Sequence, residues 1–175
     1  AFFGIGHSAR DTYEMLYARG LAMEAKAFAV GVRIEHPQDF IDRAQYGADA
    51  GQPRLPVADY ALTYQDRETG RGAYSFCMCP GGQVVAAASE AGRLVTNGMS
   101  NYRRDSGVAN AALLVQVTPE DFGPGVLAGV AFQRDYEARA FAAGGGDYFA
   151  PVQSVGDFLA GRAGSSDFLV PPSYA

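Results

Sequence analysis

Between Ala58 and Ser100 the chain strings together four strand-like segments, "ADYALTYQ", "AYSFCMC", "QVVAAAS" and "RLVTNGMS". Only "DRETGRG", "PGG" and "EAG" separate them. Short polar joins of this kind connect neighbouring antiparallel strands, so the segments predict a meander. Upstream, "AFAVGVRIEH" alternates, with Phe28, Val30, Val32 and Ile34 on one face and Arg33 and Glu35 on the other. That is the pattern of a half-buried strand. Downstream, "AALLVQVTPEDF" predicts one more strand running into a proline turn.

Helices fall at the margins of this β region. "PQDFIDRAQYG" begins with Pro37 and predicts a short helix to about Gly47. Val126 to Ala143 carries an apolar stripe of Phe132, Tyr136, Ala140 and Ala143, and the glycines from Gly144 to Gly146 end it. "SVGDFLAGR" predicts a further short helix, whereas the tail "SSDFLVPPSYA" shows no packing pattern. The expected fold class is α+β: an antiparallel sheet or small β-barrel with flanking helices.

The opening residues do not suit that class. "AFFGIG" predicts a short buried strand, and Ser8 starts a helix as N-cap, with Asp11 completing a capping box. Ala9, Tyr13, Leu16 and Tyr17 share one face, and Gly20 suits the left-handed stop. Strand into glycine into helix is how α/β nucleotide-binding folds bring a helix N-terminus to a ligand. Such a strand wants parallel neighbours, and the sequence supplies none. The chain is therefore expected to be part of a larger protein.

Composition narrows the function classes. A net charge of -5 argues against gripping a phosphate backbone, so no nucleic-acid partner is expected. Nothing approaches the roughly 20 apolar residues of a membrane span, and the start lacks the basic region of a signal peptide. Two cysteines are too few for a disulfide scaffold, which makes a cytoplasmic location the expectation.

Those two cysteines stand in "YSFCMCPGG". On a regular strand Cys77 and Cys79 share a face, about 7 Å apart at Cα, too far for an unstrained disulfide. Metal partners are lacking, because His7 and His36 are the only histidines and C-x-C falls outside zinc spacings, so no metal site is expected. The pair is either two small apolar residues packed beside Phe76 or a pair of thiols at a functional surface. Gly81 and Gly82 make a tight turn that also lets a ligand approach the backbone. His7 is either a general acid or base or a cap-binding histidine. Arg10, a cation in a first helical turn, opposes the macrodipole preference and points to a phosphate or carboxylate partner. Asn97 sits in "TNGMSN", either a plain turn or part of a site. No GxGxxG, P-loop, HExxH or GxSxG occurs.

Taken together, "GIGHSARDTYEML", "AFAVGVRIEHPQDFID", "LPVADYALTY", "YSFCMCPGGQVVAAASE", "LVTNGMSNYRRD" and "APVQSVGDFL" resemble the C-terminal portion of bacterial FAD-dependent dehydrogenases. The resemblance runs from Gly4 to about Leu159. It implies that residues 1–26 are the end of a Rossmann-type strand plus a connecting helix, 27–160 a cap or substrate domain, and 161–175 an irregular tail. The N-terminal FAD-binding domain would lie elsewhere in a two-domain flavoprotein. FAD, and NAD(P)H as a further cofactor, would serve the full-length protein and not this piece alone. Gly4, Gly6, His7, Ser8, Arg10, Gly81, Gly82 and Asn97 would lie near the cofactor, with Cys77, Cys79 and His7 as the candidate catalytic groups. The implied function is a substrate or cap domain of an oxidoreductase acting on an unknown small molecule. The rival expectation is a non-enzymatic binding or assembly module on a flavoprotein-derived scaffold.

Overall fold

The computed structural model describes residues 2–164 and 167–174. Its organising strand is β6 (Val108–Val117), which lies between β1 (Phe28–Pro37) and β3 (Gly72–Cys79). β2 (Thr63–Gln65) pairs with the far edge of β3, giving an antiparallel sheet of order β1-β6-β3-β2. β1 and β6 pair in register along their full ten residues, from Phe28 opposite Val117 to Pro37 opposite Val108. β1 is an outer strand. β4 (Gly82–Ala86) and β5 (Thr96–Ser100) form a separate two-stranded ribbon.

The ribbon packs against β6, β1 and β3, and the centre of β6 is correspondingly small-sided. Ala109, Asn110 and Ala111 are fully buried there and Ala112 nearly so. Side chains of one or two carbons let two layers of backbone approach closely. On the face opposite Asn110 and Ala112, Val32, Leu113 and Val115 remain substantially exposed, whereas Ala109 and Ala111 at the start of that face are buried.

Helices flank the sheet. α2 (Gln38–Tyr46) follows β1 directly, with Pro37 as its N-cap and Gly47 ending it in the left-handed region. α3 (Pro119–Phe122) and α4 (Ala128–Ala143) close on the start of β1 through an aromatic cluster. Phe28 lies 5.2 Å from Phe122 and 6.1 Å from Phe132, centroid to centroid. The predicted stripe of α4 thus meets its partner through Phe132. α1 (Arg10–Ala18) stops at Gly20 and α5 (Val155–Leu159) is the short helix of "SVGDFLAGR".

The fold is α+β with antiparallel sheets, which close into no barrel among the described residues. Five expectations need correction. The four segments do not form one meander, because β6 returns to pair with β3 and displaces the ribbon from the sheet. "AFFGIG" is not a buried strand: no described strand pairs with residues 2–6, and Phe2, Phe3 and Ile5 are exposed. Ser8 is not the N-cap of α1; Ala9 is, and Ser8 Oγ instead lies 3.4 Å from His7 Nε2. A capping box does form at α3, where Thr118 and Asp121 bond reciprocally in a stretch expected to be only a turn. The tail is also less idle than its composition suggests, since Ser173 donates its backbone N–H to Glu35 and Ala150 donates to Tyr174 O.

Candidate functional site

Arg33 projects from the face of β1 that the ribbon covers, and its guanidinium gathers three separate elements. Nη1 donates to Asn110 Oδ1 on β6 and, at 3.4 Å, to Cys77 O on β3. Nη2 donates to Asn97 Oδ1 on β5 at 3.0 Å. Gly98 makes the approach possible, because a Cβ there would lie 2.1 Å from both Arg33 Nη1 and Asn110 Oδ1. Asn110 is fully buried, and its Nδ2 has no hydrogen-bond partner.

The cysteines do not share a face as regular alternation predicts. Between Phe76 and Cys79 β3 takes an extra residue relative to β6, a β-bulge that sets Cys79 opposite Asn110. Cys77 sits at φ +48°, unusual for any residue with a side chain. The outcome is one exposed thiol, Cys77, and one buried thiol, Cys79, both free. Cys79 Sγ donates to Cys77 O at 3.2 Å, so its side chain turns back along its own strand. Burial pushes the Cys79 thiol pKa up, the Cys77 thiol adds to that rise, and Arg33 opposes it.

Gly81 and Gly82 are buried next to this cluster, but their bare α-carbons serve the chain itself. A Cβ on Gly81 would lie 1.9 Å from Arg104 O, and one on Gly82 would lie 2.2 Å from Met99 O. The Gly81 N–H is held by Gln38 Oε1 at 2.9 Å. Gly4 and Gly6 contrast with them: they lie in the exposed opening segment with nothing within 4 Å of a would-be Cβ. His7 and Ser8 are exposed on the same segment, which Tyr13 anchors by donating its hydroxyl to Gly6 O. No hydrogen bond among the described residues links this segment to the cysteine cluster.

Arg10 finds carboxylates. Its Nη1 donates to Glu90 at 3.0 Å and to Glu137 at 2.9 Å, while Nη2 donates to Glu137 at 2.7 Å and to Gln133 at 2.9 Å. Arg134 also binds Glu90, and together the two arginines hold the Glu90 carboxyl at about 2, well below its usual 4.5. With both terminal nitrogens committed, Arg10 anchors α1 to α4.

Arg33 and Asn110 were absent from the sequence candidates. Arg33 looked like one solvated residue of an alternating strand, and "VANAAL" carried no polar periodicity to single out Asn110. Open depressions of about 480 and 450 Å³ lie away from the cysteines, beside Tyr148 and Tyr174 and beside Phe28 and Tyr74. Among the described residues no three His, Cys, Asp or Glu side chains converge as metal ligands, and no helix is long and apolar enough to cross a membrane.

These features define an α+β domain whose polar cluster opens onto the surface instead of an enclosed pocket. The chain belongs to the family described as FAD-dependent protein, C-terminal domain-like, whose model matches residues 27–175. It is also 61% identical over 171 residues to a Clostridium beijerinckii protein described only as uncharacterised. That match covers 97% of this chain but 32% of the relative, so the chain spans about a third of the length of the curated relative it matches.

Proposed function

We propose that this domain is the substrate-side cap of an FAD-dependent oxidoreductase, a dehydrogenase, closing over the flavin held by the rest of a longer chain. Family membership supports the flavin. The observation that carries the cap reading is surface area. The domain exposes 11700 Å², whereas a compact monomer of 18.5 kDa exposes roughly 8,200 Å². The excess exceeds what a standard protein interface buries from both partners, roughly 1,600 Å². Exposed Phe2, Phe3, Val32, Phe76 and Leu113 contribute to it.

FAD would supply the two-electron chemistry, and this domain would orient substrate and exclude water. Gly4 and Gly6 fit a cofactor border, because both are exposed and leave open space where a Cβ would stand. His7 and Ser8 would stand beside it, and Arg10 would act as a positioning residue by holding α1 on α4. Gly81, Gly82 and Asn97 would shape the substrate side indirectly, through the packing of the ribbon over Arg33.

The test compares the full-length protein with this piece. The full-length protein should purify yellow with a flavin absorbance band that NADH or NADPH bleaches, and this piece should purify colourless. Gly4→Val in the full-length protein should lower bound FAD at least tenfold without lowering the melting temperature of the flavin-free protein. A colourless full-length protein that takes up no FAD on reconstitution would overturn the reading in favour of a binding or assembly module.

A further inference from the structure

We infer that Cys77 and Cys79 form a reversible dithiol–disulfide couple, with Cys77 as the attacking thiol and Cys79 as the resolving one. The inference stands on residues of this chain and does not rest on the cap reading. A regular strand would hold the two thiols apart, but the bulge removes that constraint. It places one thiol in solvent and turns the other back toward its neighbour, with Cys79 Sγ already 3.2 Å from Cys77 O. Cys77 keeps a left-handed backbone at φ +48°, a conformation costing on the order of 1–3 kcal/mol for a residue other than glycine. Two packed hydrophobes would gain nothing from it. Regular extended backbone would serve them equally well.

The surroundings suit thiol exchange. Arg33, a fixed cation, donates to the carbonyl of Cys77 and interacts with Cys79, favouring thiolate where burial opposes it. Asn110, the residue opposite Cys79 in the ladder, keeps a buried Nδ2 donor with no hydrogen-bond partner. An unpaired buried donor is costly in a resting core, and negative charge arriving on sulfur would satisfy it.

The exchange balances with a low-molecular-weight disulfide as oxidant. The Cys77 thiolate attacks one sulfur of the oxidant, forms a mixed disulfide and expels one thiolate. The Cys79 thiolate then attacks Cys77 Sγ, forms the Cys77–Cys79 bond and expels the second. Two protein thiols and one disulfide become one protein disulfide and two small thiols, with two protons carried to the leaving groups.

The tryptic peptide Gly72–Arg93 contains both cysteines, so they can be followed in the full-length protein whatever other thiols it has. The protein is equilibrated with mixtures of reduced and oxidised glutathione, quenched in acid, alkylated and mapped by mass spectrometry. The expected result is an unalkylated peptide lighter than the dithiol form by two hydrogens, about 2 Da, whose fraction returns to zero on adding excess reduced glutathione. Cys79→Ser should stall as a Cys77–glutathione adduct, Cys77→Ser should leave Cys79 unmodified in the folded protein, and Arg33→Met should slow disulfide formation roughly tenfold. Wild-type protein that accumulates the Cys77 adduct, or whose two cysteines alkylate independently at every glutathione ratio, would overturn the inference. Because Cys77 is exposed, its serine variant tests the assignment even if the variants at Cys79 and Arg33 fail to fold.

Discussion

Arg10, in the first turn of α1, and Glu137, on α4, meet as a two-pronged fork with bonds of 2.9 and 2.7 Å. The pair joins residues 127 positions apart, and Arg10 is only 3% exposed. It fastens the opening segment to the body of the domain. Arg10→Met removes the cation between two carboxylates and leaves Glu137 with no charged partner among the described residues. It should cost roughly 3 kcal/mol, read as a lower urea midpoint with unchanged slope. A loss under 0.5 kcal/mol would mean the fork contributes no more than an ordinary surface pair.

Glu90 makes the same region acid-sensitive. Its carboxyl titrates at about 2 in the folded protein against 4.5 ordinarily, chiefly through Arg134 and then Arg10. A depressed carboxyl contributes stability that is complete above 4.5 and is lost as pH falls from there toward 2. Urea midpoints should therefore drop across that window. Glu90→Gln should lack about 2 kcal/mol of the drop, a figure reduced for the partial exposure of the pair. Parallel pH curves for the two proteins would contradict this.

His36 sets a second window near neutrality. Its Nε2 lies 2.8 Å from the Tyr60 hydroxyl, its Nδ1 is buried without a partner, and burial lowers its pKa below the ordinary 6.5. The folded state thus binds fewer protons than the unfolded state below 6.5. Stability is complete above that pH and falls as acid is added. With only two histidines in the chain, proton NMR resolves the titration directly, and His7→Ala assigns the remaining signal. A His36 midpoint at or above 6.5 would refute the burial argument.

Glycines separate by what surrounds them. Gly81→Ala forces a Cβ onto Arg104 backbone at 1.9 Å from a residue at φ +53°. It should destabilise by more than 3 kcal/mol or prevent folding. Gly4→Ala meets nothing within 4 Å and should leave the thermal midpoint within a degree of wild type. Equal midpoints for the two variants would show that the β3–β4 turn does not depend on that contact.

What the sequence made legible is what repeats locally. The alternation of Phe28, Val30, Val32 and Ile34 located β1, and the Phe132 stripe located α4, because a periodic pattern marks an element even where Val32 and Tyr136 stay exposed. The β6 insertion between β1 and β3 depends on long-range pairing that no local period encodes. Apolarity in "AFFGIG" suggested burial, but a strand needs a ladder, and none pairs with this stretch among the described residues. The cysteines were visible as a pair, whereas their geometry depends on a bulge at a residue with a side chain, where no glycine marks the turn. Arg33 and Asn110 meet across 77 positions, and only the fold shows why a buried asparagine stands opposite a thiol.

The outer position of β1 bears on how the domain behaves in solution. Ten residues of extended backbone pair on one side only, and Val32 lies 60% exposed along them. Every other peptide group on the free side offers its N–H and C=O to any extended segment that drifts past. In dilute solution water occupies those groups. At the high local concentrations of a ribosome-crowded cell or a refolding vessel, strand would add to strand and the domain would be drawn into aggregates. A charge on that edge would act as a guard of solubility, so Val32→Lys should lower the light scattering that builds up when the domain is refolded at high concentration.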